Sequence, residues 1–290
     1  MRPERWIENN AGRLPGDAGV AFYREHGYFV TGKILPDDIL DAALAAVEPF
    51  YAGETDHPAP AGASPGWCAA DGDRVLRKND FASFQMDALA ALVHHPELGA
   101  AAAQLAGEPV RLWMDQLLYK PPDRPDAKTR VGWHTDRRYW RCCTSTDMLT
   151  AWIPFGDCSA RDGTLMVVDG SHRWPDNADA GDFRSQELDE LEQHFVTDGH
   201  PVVKVPVELE RGQVSFHHCQ TLHGSGPNRG ARPRIALAVH LQGASNRWCE
   251  FVYRMPDGST HRHDLEHMCR LVGGVPDFAD PKLCPQLWPA

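Results

Sequence analysis

Residues 212–243 read GQVSFHHCQTLHGSGPNRGARPRIALAVHLQG and contain two β-rich runs on either side of a turn rich in glycine and proline. Five more short β-rich runs precede this stretch, at 109–120, 131–136, 148–157, 163–172 and 200–209. Several short strands separated by such turns favour a β-sandwich or barrel. Strands and helices do not alternate regularly, which argues against a doubly wound sheet. We therefore predict a mainly β chain with a jelly-roll core.

The part of the chain before residue 107 has a helical character. Residues 17–51 predict a helix, an extended piece and a second helix, and residues 85–106 predict a helix interrupted at Pro96. Residues 52–76, between them, are rich in Gly, Pro, Ala and Asp and predict a loop or a mobile lid. We expect these helices to brace the β core within a single domain. Its expected parts are a helical part at about 1–107, a jelly-roll core at about 108–245 and a C-terminal extension at 246–290.

Composition and charge argue against several classes of protein. The 290 residues carry a formal net charge of −11 without a basic stripe, so nucleic-acid binding is not expected. No apolar run reaches about 18 residues and the N-terminal residues lack the apolar stretch of a signal peptide, so no membrane segment is expected. The eight cysteines include no C-x-x-C pair, which favours reduced, mostly buried thiols and a cytoplasmic location. None of these features predicts the oligomeric state.

The tetrapeptide WHTD at residues 133–136 places a histidine and an aspartate two positions apart. Because side chains alternate along a strand, His134 and Asp136 are expected to point the same way. An isolated H-x-D occurs often by chance, but residues 212–243 add a distant second histidine, His223, in the Gly-rich turn. Two histidines and a carboxylate form the facial triad of non-haem Fe(II) oxygenases. The pattern therefore predicts an iron site.

Arg234 opens the β-rich run that follows His223, eleven residues further along the chain. A guanidinium group pairs with a carboxylate through two parallel hydrogen bonds, so this position suits recognition of the distal carboxylate of a dicarboxylic acid. Ser225, two residues after His223, can donate its hydroxyl to the same carboxylate.

Four segments together resemble the phytanoyl-CoA dioxygenase (PhyH-like) family of Fe(II)/2-oxoglutarate-dependent oxygenases. They are FYREHGYFVTGKILPDDILDAAL (22–44), WHTD (133–136), DGTLMVVDGSHR (162–173) and HGSGPNRGARPRIAL (223–237). The resemblance covers most of the chain and implies a cupin-like double-stranded β-helix that uses Fe(II), 2-oxoglutarate and O2. Related halogenases have Ala or Gly where Asp136 stands, so halogenation is not expected.

The resemblance also implies roles for individual residues. The implied metal ligands are His134, Asp136 and His223. The residues implied to hold or line 2-oxoglutarate are Arg234 and Ser225 at its C5 carboxylate, and Gln116 and Trp152 along its pocket. Lys120 shares the face of Gln116 but precedes Pro121, and we interpret it as a solvated side chain.

Other residues are candidates for substrate binding or have a simpler explanation. Arg137, Arg138 and Trp140 directly follow the metal motif and are candidates to hold an anionic or aromatic substrate, although a surface strand with solvated arginines also fits. Lys78 follows the Gly/Pro-rich loop and is a further candidate. Packing or solvent exposure is favoured for His217 and His218, and a second metal site at His261, His263 and His267 is disfavoured.

The expected activity is hydroxylation of an unactivated C–H bond of a small molecule, with release of succinate and CO2. The same cofactor chemistry can also produce desaturation, epimerisation or ring closure, and the sequence does not separate these outcomes. Two alternatives lie outside this chemistry: a non-catalytic metal-binding jelly-roll sensor, and a zinc-dependent isomerase or hydrolase. The identity of the substrate is not predicted.

Overall fold

The computed structural model describes residues 11–175, 177, 181–197, 202–254 and 260–289. The helices are α1 (Gly16–His26), α2 (Asp37–Ala45), α3 (Val47–Ala52), α4 (Asp87–Val93), α5 (Pro96–Ala106), α6 (Leu188–Thr197) and α7 (Asp264–Met268). The first ten strands are β1 (Tyr28–Val30), β2 (Arg77–Asp80), β3 (Val110–Lys120), β4 (Val131–His134), β5 (Leu149–Pro154), β6 (Met166–Val168), β7 (Lys204–Pro206), β8 (Ser215–His218), β9 (His223–Ser225) and β10 (Arg234–Gly243). Short C-terminal strands follow: β11 (Tyr253–Arg254), β12 (Thr260–His261), β13 (Leu271–Val272), β14 (Val275–Pro276) and β15 (Gln286–Trp288).

Two antiparallel sheets form the core of the molecule. The large sheet has the order β1-β8-β5-β10-β3-β15, with β2 also paired to β3, and the small sheet has the order β4-β9-β6-β7. These two facing sheets confirm the prediction of a mainly β, jelly-roll chain. The large sheet also draws on the N-terminal part through β1 and β2, and on the C-terminal extension through β15.

The two faces of the large sheet have different neighbours because side chains alternate along each strand. On β10, Leu237, Val239 and Leu241 join the apolar cluster formed with the N-terminal helices. Ala236 and Ala238 point the other way and pack in the cluster that also contains residues of the small sheet, such as Val167. The inward face of the large sheet therefore forms one wall of any cavity between the sheets.

All eight cysteines are free thiols, and Cys68 is the exposed one. Most of the others belong to a third apolar cluster, together with Trp113 and Phe278, that attaches the C-terminal residues to the sheet. Within the described part of the chain, no helix has the length and apolar character needed to cross a membrane.

Candidate metal and co-substrate site

His134, Asp136 and His223 come together at the edge where β4 pairs with β9. His134 and His223 are directly opposite each other in this antiparallel pair. Their Nε2 atoms lie 3.8 and 3.5 Å from Oδ1 of Asp136, and all three side chains are buried. Among the described residues, this is the only group of three or more His, Cys, Asp or Glu side chains arranged to hold a metal ion.

The prediction that Asp136 lies on the same strand as His134 is wrong. Strand β4 ends at His134, and Asp136 is the first residue of a 3-10 turn that runs to Tyr139. The backbone of the turn brings the carboxylate beside the two imidazoles, so the three side chains still converge. A short strand end followed by a turn has no distinct sequence pattern, which explains the error.

Backbone carbonyls fix the orientation of both histidines. Nδ1 of His134 lies 2.8 Å from the carbonyl of Gly132, and Nδ1 of His223 lies 2.8 Å from the carbonyl of Thr221. Each Nδ1 therefore carries the proton and donates it, so each Nε2 has its lone pair free toward Asp136. This second hydrogen bond is the usual support for a metal-ligating histidine. Two imidazole nitrogens and one carboxylate oxygen are a donor set that suits Fe(II).

The surroundings favour the protonation states that a metal needs. Burial lowers the pKa of His134 to about 3, so this imidazole is neutral near pH 7. Burial alone would raise the pKa of Asp136, but His223, His217 and His240 outweigh that effect and hold it well below its usual range. The neutral imidazole of His134 and the ionised carboxylate of Asp136 can bind a metal without first losing protons.

Arg234 and Lys120 lie opposite each other where β10 pairs with β3. Both side chains are buried, and no acidic side chain in the described ranges forms an ion pair with either one. Nζ of Lys120 donates to Oγ of Ser225 at 2.5 Å and to the carbonyl of Gly226 at 2.6 Å. Nε and Nη1 of Arg234 have no hydrogen-bond partner. The interpretation of Lys120 as a solvated side chain is therefore wrong. Lys120 is the last residue of β3, and its side chain is fully buried and bonded to Ser225.

A cavity connects Arg234 and Ser225 to the metal-ligand triad, and Lys120 lies behind its wall, bonded to Ser225. Trp152 forms part of its wall, and the guanidinium of Arg234 lies 5.3 Å from the centre of that ring. The lining includes all seven residues predicted to hold the metal or the co-substrate: His134, Asp136, His223, Arg234, Ser225, Gln116 and Trp152. It also includes residues that the sequence analysis did not select: Leu118, Val131, Thr150, Leu165, Phe183, His217, Gly224, Ala238 and His240.

The loop at 181–186 covers one side of the triad. The nitrogen of Gly132 donates to the carbonyl of Phe183, and the nitrogen of Asp182 donates to the carbonyl of Trp133, so this loop pairs along β4. The ring of Phe183 meets the ring of His134 edge-on at 5.0 Å. Gly181 has a φ of +80°, and a Cβ there would lie 1.8 Å from the carbonyl oxygen of Trp133. The loop therefore requires glycine at this position.

The four residues proposed to contact substrate do not line the cavity. Arg137 is buried and its guanidinium donates to the carbonyl of Trp140, whose ring packs 4.8 Å from His240. Arg138 lies 5.8 Å from the ring centre of Tyr253. Nζ of Lys78 pairs with Asp80 at 2.7 Å. The segment after Asp136 is thus a 3-10 turn with one buried arginine, and not a surface strand.

The remaining histidines also have identifiable surroundings. His217 is buried and packs against the ring of His223, as expected, and it also lines the cavity. His218 pairs with Asp147 at 3.4 Å on the other side of the strand. His263 accepts a hydrogen bond at the start of α7, and His267 bonds the carbonyl of Gly62. The side chain of His261 lies outside the described residues.

Comparisons with known proteins agree with this geometry. The family model for phytanoyl-CoA dioxygenase (PhyH) matches residues 23–236. A probable alpha-ketoglutarate-dependent hypophosphite dioxygenase of Stutzerimonas stutzeri is 29% identical over 187 residues, which are 60% of this chain and 59% of that protein. The match thus spans less than two thirds of that relative's length.

Two solved structures resemble the chain over most of its length. One is the non-heme alpha ketoglutarate dependent carbocyclase SnoK from nogalamycin biosynthesis, with a TM-score of 0.63 and 26% identity, covering 80% of this chain and 86% of that one. The other is the epimerase SnoN in complex with Fe3+, alpha ketoglutarate and nogalamycin RO, with a TM-score of 0.62 and 25% identity, covering 89% of this chain and 90% of that one.

Proposed function

The chain belongs to the phytanoyl-CoA dioxygenase family, and on that premise we propose that it is an Fe(II)- and 2-oxoglutarate-dependent dioxygenase. His134, Asp136 and His223 are the proposed metal ligands, because they are the three convergent donors in one buried cavity. The observation that carries the proposal is at the other end of that cavity. There, Arg234 lines the cavity and Lys120 lies behind Ser225, and both are buried with no acidic partner among the described residues.

Two buried cations without an anion are unfavourable, since a charge removed from water needs a partner. A carboxylate at this end of the cavity would supply that partner. Arg234 has two nitrogen atoms without hydrogen bonds, and a planar guanidinium accommodates two carboxylate oxygens. Ser225, whose Oγ already accepts from Lys120, retains its hydroxyl hydrogen for donation. The proposed occupant is the C5 carboxylate of 2-oxoglutarate, and Gln116 and Trp152 line the path toward the metal.

The metal and 2-oxoglutarate together supply the activation of O2 that oxidises a substrate C–H bond, with release of succinate and CO2. The residues of this chain position these components. The cationic end sets the direction of 2-oxoglutarate in the cavity, and the two Nδ1–carbonyl hydrogen bonds keep the histidine Nε2 atoms aimed at one point. Phe183 covers His134 and limits the access of water to that side.

Hydroxylation of a small molecule is the proposed reaction, and ring closure or epimerisation is the second candidate. The second candidate has specific support, because the carbocyclase SnoK and the epimerase SnoN share the fold over most of both chains. Oxidative turnover of 2-oxoglutarate is common to both. We also propose a cytoplasmic location, since all eight cysteines are free thiols.

Succinate formation tests the proposal against the non-catalytic sensor and the zinc-dependent alternatives. Purified protein with Fe(II), 2-oxoglutarate and O2 is expected to release succinate slowly even without its substrate. Arg234→Gln is expected to raise the KM for 2-oxoglutarate at least about 10-fold, because it removes charge-assisted hydrogen bonds. Arg229→Gln, an exposed arginine in the preceding turn, is the matched control and should leave this KM unchanged. Binding of iron and 2-oxoglutarate without succinate release would support the sensor instead.

A further inference from the structure

Three polar side chains form a row across the inward face of the large sheet. Thr150 on β5 is directly opposite His240 on β10 and also directly opposite His217 on β8. Residues in register on neighbouring strands point to the same face, so this row is fixed by the pairing of the strands. All three side chains are almost fully buried, in a region where an unsatisfied polar group is costly.

The row faces one oxygen of Asp136. The hydroxyl of Thr150 donates to Oδ2 at 2.7 Å, and its oxygen accepts from Nδ1 of His240, also at 2.7 Å. Nε2 of His217 lies 3.3 Å from the same Oδ2. This approach is not aligned as a full hydrogen bond, but within the described part of the chain Asp136 is the acidic side chain that lies within ion-pair distance of His217.

The two oxygens of Asp136 therefore have separate surroundings. Oδ1 faces the Nε2 atoms of His134 and His223, where the metal is proposed to bind. Oδ2 faces Thr150 and His217, and the hydroxyl of Thr150 has a fixed direction because His240 uses its lone pair. An unrestrained carboxylate can rotate about its last bond and offer both oxygens to a cation, as happens at many oxygen-rich sites.

We propose that Thr150, His217 and His240 are positioning residues that restrict Asp136 to binding the metal through Oδ1 alone. The inference rests on the proposed function and adds a role for this row within it. Engagement of Oδ2 keeps one coordination position from being taken by the carboxylate, so the chelating 2-oxo acid and O2 retain their positions. It also lowers the entropy that Asp136 loses when the metal binds, because the carboxylate is already oriented.

The experiment compares paired variants by two measurements, neither of which is turnover. Fe(II) is titrated anaerobically into metal-free protein by calorimetry. The visible charge-transfer band of the chelate is then recorded at saturating 2-oxoglutarate. Thr150→Val removes the hydroxyl that donates to Oδ2, and His217→Phe removes the ring nitrogen that faces the same oxygen, whereas Thr150→Ser and His217→Gln retain a group that can donate. His218→Phe, on the opposite face of the same strand and paired with Asp147, is the matched control.

In the donor-free variants Thr150→Val and His217→Phe, we expect the Kd for Fe(II) to rise about 10- to 100-fold, which is the usual effect of removing a side chain that supports a metal ligand. We also expect the charge-transfer band to shift. Thr150→Ser, His217→Gln and His218→Phe are expected to stay close to wild type in both measurements. Fe(II) affinity within about twofold of wild type and an unshifted band in both donor-free variants would overturn the inference. If wild-type protein binds Fe(II) and 2-oxoglutarate without any band, the proposed function itself fails, which is a distinguishable result.

Discussion

Lys120 connects the stability of the protein to its proposed co-substrate. Burial, and next the charge of Arg234, lower its pKa well below its ordinary value, which shows how unfavourable an unpaired charge is at this position. A bound dicarboxylate offsets that penalty, because its negative charge favours the protonated amine. Ligand binding and protonation of Lys120 are therefore expected to be coupled.

This coupling gives a prediction for Lys120→Met. Saturating 2-oxoglutarate with Fe(II), under anaerobic conditions, is expected to raise the melting temperature of the wild-type protein, since a ligand that binds only the folded state stabilises it. Lys120→Met should lose most of that increase, because the anchor retains one cation. Differential scanning fluorimetry measures both values, with Lys128→Met as a control on a neighbouring loop. An equal increase of the melting temperature in Lys120→Met and Lys128→Met would contradict the role of Lys120 in holding the carboxylate.

The buried histidines predict a loss of stability in acid. Burial lowers the pKa of His134 to about 3 and those of His217 and His240 to about 4, against about 6.5 in an unfolded chain. Between these values the unfolded state binds more protons, so the stability of the metal-free protein falls as the pH falls from about 6.5 toward 4. Asp136, whose pKa is lowered, keeps its contribution in this window and loses it only at lower pH.

Thermal unfolding of the metal-free protein across this pH range checks the prediction. The melting temperature should fall steadily below about pH 6.5 and change little above about pH 7. His217→Phe should show a shallower fall, because one of the three histidines that resist protonation is gone. A melting temperature that is constant between about pH 7 and 5 would show that these side chains are not buried as neutral imidazoles.

The sequence identified the residues with distinctive metal-binding or anion-binding chemistry. It did not identify residues whose role depends on the side chains that surround them in the fold. His134, Asp136, His223 and Arg234 were found because a metal triad and an anchoring arginine have recognisable residue types and spacing. Lys120 and His240 could have been found by their spacing. Lys120 follows Gln116 by four residues and His240 follows Arg234 by six, and an even spacing along a strand places both side chains of a pair on the same face. Thr150 carried no comparable signal, since its role depends on which strands flank β5.

At the level of elements, β4 and the loop at 181–186 act as one unit at the site. The loop extends the edge of β4 through hydrogen bonds at Gly132 and Trp133 and carries Phe183 to His134. The close approach depends on two glycines, because a Cβ at Gly132 would lie 2.1 Å from the carbonyl oxygen of Asp182 and one at Gly181 would also meet the backbone. The position of His134 therefore depends on a segment far away in sequence.

Gly181→Ala tests this dependence. The left-handed backbone at Gly181 costs an alanine roughly 1–2 kcal/mol, and the contact with Trp133 adds to that cost. We expect weaker Fe(II) binding and faster proteolysis of the loop, with little change in the global melting temperature. Gly156→Ala, at the end of β5 with no atom within 4 Å of the new Cβ, is the control. Unchanged Fe(II) affinity in Gly181→Ala would mean that the loop does not support the triad.

The β-rich runs were predicted near their observed positions, because alternation and turn residues are local features. β1 matches the extended piece predicted between the first two helices, whereas two other strands of the large sheet were less accessible to this reasoning. β2 and β15 have four and three residues, and they are strands because the edge of β3 provides a partner for each of them. Such short elements are determined by tertiary pairing and not by their own sequence.

For the whole molecule, the pairing of distant segments predicts a single cooperative unit. The large sheet joins residues 28–30, 77–80 and 286–288 to the central strands, and β3 contacts β2, β10 and β15. We therefore propose that the chain behaves as one domain, and that its helical and C-terminal parts do not unfold separately. Calorimetry of the metal-free protein is expected to show one transition with matching calorimetric and van't Hoff enthalpies. Two resolved transitions would contradict this proposal.

Anaerobic titration of the metal-free protein with Fe(II) and then 2-oxoglutarate is the most direct test of the central claim. A weak visible metal-to-ligand charge-transfer band arises only when the 2-oxo acid chelates the iron through its carboxylate and keto oxygens. We predict that this band appears with wild-type protein, is absent in Asp136→Ala, and requires a higher concentration of 2-oxoglutarate in Arg234→Gln. Binding of Fe(II) without any band in the wild-type protein would contradict the claim that this cavity holds 2-oxoglutarate at the metal.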